Sequence, residues 1–75
     1  MTNIDAIKAS AASMGEVINK AAEHLPNEYS IIIEIEKDGY DVRLMNSHGL
    51  ERTFDGDGII GQVNDAIQYA NGIHE

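Results

Sequence analysis

The chain contains no cysteine, so neither a disulfide framework nor a thiolate zinc site can hold it together. That fits a reducing compartment, and a cytoplasmic location is expected. Tryptophan is absent, and phenylalanine and proline occur once each. Basic residues are scarce: five Lys and Arg stand against thirteen Asp and Glu, a formal net charge of −8 at pH 7. This balance excludes direct nucleic-acid binding and attraction to an anionic membrane, both of which need Lys or Arg to meet phosphate. No window approaches the ~18 apolar residues of a membrane span. Met1 to Lys8 lack a basic n-region and a leucine-rich h-region, so no export signal is expected. What remains is 75 residues, 43% of them apolar, enough for a single domain over 1–75 that buries about 60% of its unfolded surface.

Ile4, Ile7, Ala11, Met14, Ile18, Ala21 and Leu25 step by three and four, which places them on one side of a helix. Thr2 or Asn3 can cap its start, Glu16 and Lys20 form an i,i+4 pair, and Pro26 ends it. From Tyr29 the period becomes two: Tyr29, Ile31, Ile33 and Ile35 alternate with Ser30, Ile32, Glu34 and Glu36, a strand with one apolar face. Asp38-Gly39 predicts a type I′ hairpin turn, with Gly39 supplying positive φ. That loop sets Ile35 against Val42, Ile33 against Leu44, Glu34 against Arg43, Ile32 against Met45 and Glu36 against Asp41. A third strand runs from Leu50 to Asp55, and an odd loop before it would place Leu50 and Phe54 on the Val42/Leu44 face. Ile59 to Asn71 reads as a second helix with Val63, Ile67 and Ala70 on its buried stripe, Asp57 as N-cap and Asn71-Gly72 as the stop. The expected fold class is α+β: a two-layer α-β-β-β-α domain, its three-stranded antiparallel sheet covered by both helices on one face.

The other face would then carry Ser30, Ile32, Glu34, Glu36, Asp41, Arg43, Met45, Glu51, Thr53 and Asp55. Five carboxylates meet one base there, and Ile32 and Met45 form an apolar centre in an acidic surround. Apolar centre and charged rim are the anatomy of a protein–protein site. Ile32, Glu34, Glu36, Asp41, Met45, Glu51 and Asp55 are therefore the candidate partner-binding residues. The competing reading is a solvated acidic surface with scattered apolar side chains.

Chemical motifs are thin. Gly56-Asp57-Gly58-Ile59-Ile60-Gly61 matches G-x-G-x-x-G, but no room is left for the further strand and acid that a dinucleotide site requires. Around the same turn an EF-hand alignment puts Thr53 and Asn64 where Asp and a bidentate Glu belong. His24, His48 and His74 show no metal spacing, and Ser47-His48 has no third member for a triad. No catalytic residue, metal ligand or cofactor is expected.

The α-β-β-β-α order is that of double-stranded RNA-binding domains, which depend on basic residues. The second helix here offers Gln62, Asn64, Asp65, Gln68 and Asn71 and no Lys or Arg. In size, order of elements and acidity the chain instead resembles small phage-encoded inhibitors, particularly anti-CRISPR proteins that act as DNA mimics. The resemblance is architectural and carries no residue motif. It implies a non-enzymatic inhibitor that docks its carboxylate-rich sheet face on a basic, nucleic-acid-handling protein. The alternative is an assembly module that homodimerises through the Ile4–Leu25 stripe, with acidity serving solubility alone.

Overall fold

In a computed structural model of the chain, residues 7–8, 11–56 and 58–73 are described. Helix α1 spans Met14–His24, strands β1, β2 and β3 span Ser30–Glu36, Gly39–Asn46 and Gly49–Phe54, and helix α2 spans Ile59–Ala70. The sheet is antiparallel in the order β1-β2-β3. The expected α+β class and α-β-β-β-α order hold.

The helix expected from Ile4 to Leu25 is interrupted. Ile7 and Lys8 are helical, but the chain leaves helical geometry over 11–13 and restarts at Met14. Ser13 is the new N-cap: its backbone is extended (φ −147°, ψ 164°) and its Oγ accepts from the Glu16 N–H at 3.2 Å. Glu16 Oε2 accepts in return from the Ala12 N–H at 2.9 Å, a reciprocal capping arrangement that stabilises a helix start. The restart changes the phase of the buried stripe. Val17 is wholly buried and Ile18, assigned inward by the 3-4 spacing, is 55% exposed. Thr2, Asn3 and Ile4 lie outside the described residues. At the other end Leu25 is already extended (ψ 126°), as a residue before proline must be.

The first hairpin turns one residue earlier than the Asp-Gly pair places it, and the register slips by two. Glu36 pairs with Gly39, Ile35 with Tyr40, Glu34 with Asp41, Ile33 with Val42 and Ile31 with Leu44. Lys37 and Asp38 are the loop, and neither has positive φ, so the turn is not type I′. A shift of two conserves parity, and the apolar residues keep their face although every partner changes.

The second connection corrects a different expectation. Asn46 pairs with Gly49 and Met45 with Leu50, so the loop is the even pair Ser47-His48. A bulge between Leu44 and Met45 then admits one extra residue on β3, and the ladder resumes at Leu44–Arg52 and Val42–Phe54. Leu50 consequently points away from the helices and is 58% exposed, while Phe54 is 8% exposed. Gly49 carries this turn at φ 119°, with no atom within 4 Å of an added Cβ; its constraint is conformational. Gly39, at φ 159°, lies at the margin of the extended region. Gly49→Val is therefore expected to cost about 1–3 kcal/mol and more than Gly39→Val. Urea midpoints compare the two, and equal losses would contradict the turn geometry.

Both helices cover one side of the sheet. Val42, Leu44 and Phe54 meet Val17, Val63, Ala66 and Ile67, with Ile7 closing the cluster. Helix α2 lies over β2 and β3, and α1 packs on α2. The N-cap of α2 is Gly58, without a side-chain cap; Asp57, expected there, falls outside the described residues. Asn71-Gly72 ends α2 as expected: Gly72 N–H donates to Tyr69 C=O and Ile73 N–H to Gln68 C=O, both at 2.9 Å, the paired bonds of a Schellman motif. Asn71 Nδ2 donates to Ile67 C=O at 2.8 Å and to His24 C=O at 3.0 Å, tying together the last turns of the two helices. Among the described residues no helix is long and apolar enough to cross a membrane.

Candidate docking face

Paired residues on a pleated sheet project to the same side. Opposite the helices lie Ser30, Ile32, Glu34 and Glu36 of β1, Asp41, Arg43 and Met45 of β2, and Leu50 and Thr53 of β3. Five of the seven expected site residues are brought together there: Ile32, Glu34, Glu36, Asp41 and Met45. The other two are elsewhere. Glu51 sits at the bulge, where its Oε2 accepts from Asn46 Nδ2 at 2.6 Å. Asn46 Oδ1 accepts in turn from the His48 N–H at 2.7 Å, so Glu51 belongs to the β2–β3 turn. Asp55 follows the end of β3 and lines a groove of about 350 Å³ between β3 and α2, with Arg52, Asp65 and Tyr69.

The face is thus less charged than its alternation suggests: three carboxylates and one guanidinium give a net −2 rather than −4. Glu34 stands directly opposite Asp41, a like-charge pairing that destabilises a sheet. Arg43, one pair further along, offsets it through Nη2 to Glu34 Oε2 at 3.1 Å. Glu36 and Asp41 form the acidic end of the face. Ile32 (45% exposed), Met45 and Leu50 (58% exposed) cross all three strands as an apolar diagonal. Ile32 is not opposed to Met45, as expected, but lies diagonally from it; Ser30 is the direct partner. Leu50 is the member the sequence reading missed, because an even loop and a bulge cancel in parity and leave no trace in the alternation.

Three of the five Lys and Arg have partners within the molecule, while Lys8 and Lys37 are exposed. Lys20 is buried between the helices and its Nζ donates to Asn64 Oδ1 at 2.7 Å. Desolvation holds its ammonium below the ordinary value of 10.5. The Arg52 guanidinium lies over the rings of Phe54 and Tyr69, 5.3 and 5.1 Å from their centroids, a cation–π arrangement. The two rings meet edge to face at 5.9 Å. Together with Arg43 on Glu34, these uses leave the solvent-facing surface dominated by carboxylates.

Chemistry has no comparable gathering. Among the described residues no three His, Asp or Glu side chains are grouped to hold a metal ion. His24 is in the last turn of α1, 3.8 Å from Glu23, and His48 is in the exposed turn before β3. Comparison with models of protein families, with curated proteins and with solved structures finds no match to this chain.

Proposed function

We propose that this chain is a non-enzymatic binding protein that docks its open sheet face on a basic protein surface. The partner is of the nucleic-acid-handling kind, met in the cytoplasm and inhibited by occupancy, as by the small phage-encoded DNA mimics that the chain resembles. The observation that carries this reading is the apolar diagonal Ile32–Met45–Leu50 with Glu36 and Asp41 beside it. Large apolar side chains exposed together on an otherwise charged surface mark interaction sites, and carboxylates compete with phosphates for the same Lys and Arg. Because Glu34 is already held by Arg43, the long-range attraction rests on Glu36 and Asp41, and the apolar diagonal supplies the short-range contact.

Affinity capture from source-cell lysate at low salt supplies the basic partner, and binding kinetics then test the face. Reversing Glu36 and Asp41 to Lys is expected to slow association and flatten its salt dependence, since rim charges act mainly on encounter. Ile32→Ala and Leu50→Ala are expected to speed dissociation about tenfold each, the scale of an interface anchor. The control reverses Glu23 and Asp65, both exposed on the helices; Glu16 is unsuitable because it caps α1. Equal weakening by the control would show that bulk charge alone matters and would remove the site assignment.

A further inference from the structure

We infer that two copies of this chain pair antiparallel through their β1 edges, making one six-stranded sheet about a two-fold axis. This goes beyond the docking face: it uses the backbone edge of β1, whose Ile32, Glu34 and Glu36 also border that face. β1 and β3 are both edge strands, but they are built differently. β3 is broken by the bulge and carries Glu51 and Arg52, features that discourage edge-to-edge pairing. β1 has no bulge, and its two charged residues, Glu34 and Glu36, both lie on the open side. Its seven residues, Ser-Ile-Ile-Ile-Glu-Ile-Glu, pair with β2 without a register shift and hold neither proline nor lysine. A long, regular, apolar edge of this kind is a template for another strand.

The sequence of β1 is complementary to itself. In antiparallel pairing centred on Ile33, the whole strand is used: Ile33 faces its own copy, Ile31 faces Ile35, Ile32 faces Glu34 and Ser30 faces Glu36. On the helix side every member of the seam is isoleucine. On the open side no carboxylate stands opposite a carboxylate, which is the arrangement that two chains of like charge require. The two Glu34 side chains are diagonal neighbours, and each is already paired with its own Arg43.

This seam also accounts for exposure that the isolated fold leaves unexplained. Ile35 has the inward parity of Ile31 and Ile33 yet is 75% exposed. Beside β1, α1 leaves an apolar groove of about 300 Å³, lined by Ile18, Leu25, Tyr29, Ile31 and Ile33. Opposite Ile31 of a second copy, Ile35 would lie at the end of that copy's groove and lose its solvent. The isologous contact closes on itself, giving a dimer and not a fibre.

Sedimentation across a concentration series reads the mass. The expected result is twice the 8.2 kDa chain mass, with association strengthened by salt as like charges are screened. That is opposite in sign to docking on a basic partner, so the two readings fail separately. Ile35→Lys places an inward charge on the edge and is expected to give a folded monomer, since Ile35 is exposed; Ile35→Val should remain dimeric. In this cysteine-free chain, Ser30→Cys with Glu36→Cys should give a covalent dimer on oxidation, and neither single variant should match it. A monomer at every concentration up to about 1 mM, or a dimer that survives Ile35→Lys, would overturn the proposal. Single cysteine variants that cross-link as well as the pair would overturn the register.

Discussion

Leu44→Ala is expected to lower the unfolding free energy by about 2–5 kcal/mol, while Leu50→Ala stays within about 0.5 kcal/mol of the parent. The two leucines are close in sequence and lie on opposite sides of the sheet. Leu44 is wholly buried against α2, and Leu50 is more than half exposed. Removing the Leu44 side chain leaves a cavity in a core that contains few large residues, and small domains have little stability in reserve. Urea titration measures both, and the slope with denaturant should stay unchanged if the folded and unfolded ensembles keep their compactness. Comparable losses at the two positions would mean that the bulge does not switch the facing of β3.

The second large effect lies between the helices, where Lys20 and Asn64 meet. Asn64→Leu removes an acceptor from a buried ammonium and Lys20→Met removes a donor from a buried carbonyl oxygen, each costing about 1–3 kcal/mol. The double variant Lys20→Met/Asn64→Leu replaces both partners with apolar groups of similar shape. It is expected to be less destabilised than the sum of the singles by about 0.5–3 kcal/mol, as for other directly bonded pairs. Strict additivity would show that the bond carries no coupling. The same pair sets a pH dependence. Lys20 titrates below its ordinary 10.5 in the folded chain, so between the two values the unfolded chain binds more protons and stability rises with pH. Relative to Lys20→Met, the parent should therefore gain stability as pH climbs towards 10.5, and its penalty should be greatest below that window.

Period-two alternation was enough to place Ile31, Ile33, Val42 and Leu44 inward and Ile32 and Met45 outward, because parity survives a register shift of two. The partners themselves were not legible. Asp38-Gly39 is a strong local turn signal, yet the ladder closes at Glu36–Gly39, and tertiary packing prevailed over the dipeptide preference. The break in the first helix was written in the sequence as Ser13-x-x-Glu16, a capping signature obscured by an apolar stripe that runs through it. Burial of Lys20 was not legible, since its spacing from Glu16 fits a solvated i,i+4 pair equally well. Within the candidate site, alternation alone puts Leu50 inward, because a bulge changes facing without changing composition. The same alternation puts Glu51 and Asp55 on the open face only when it is extended through that bulge and past the end of β3.

The bulge also governs how this chain can change in length. Between Met45 and Phe54 the backbone behaves like a reading frame of two letters, inward and outward, with the extra residue at Glu51 as its single frameshift. Losing Glu51 alone would not turn Phe54 outward: Met45–Leu50, Leu44–Arg52 and Val42–Phe54 would pair as they do now, without the bulge. The bulge is thus the place in the β2–β3 ladder where one residue can be lost with every pairing kept, Leu50 on the open face and Phe54 in the core.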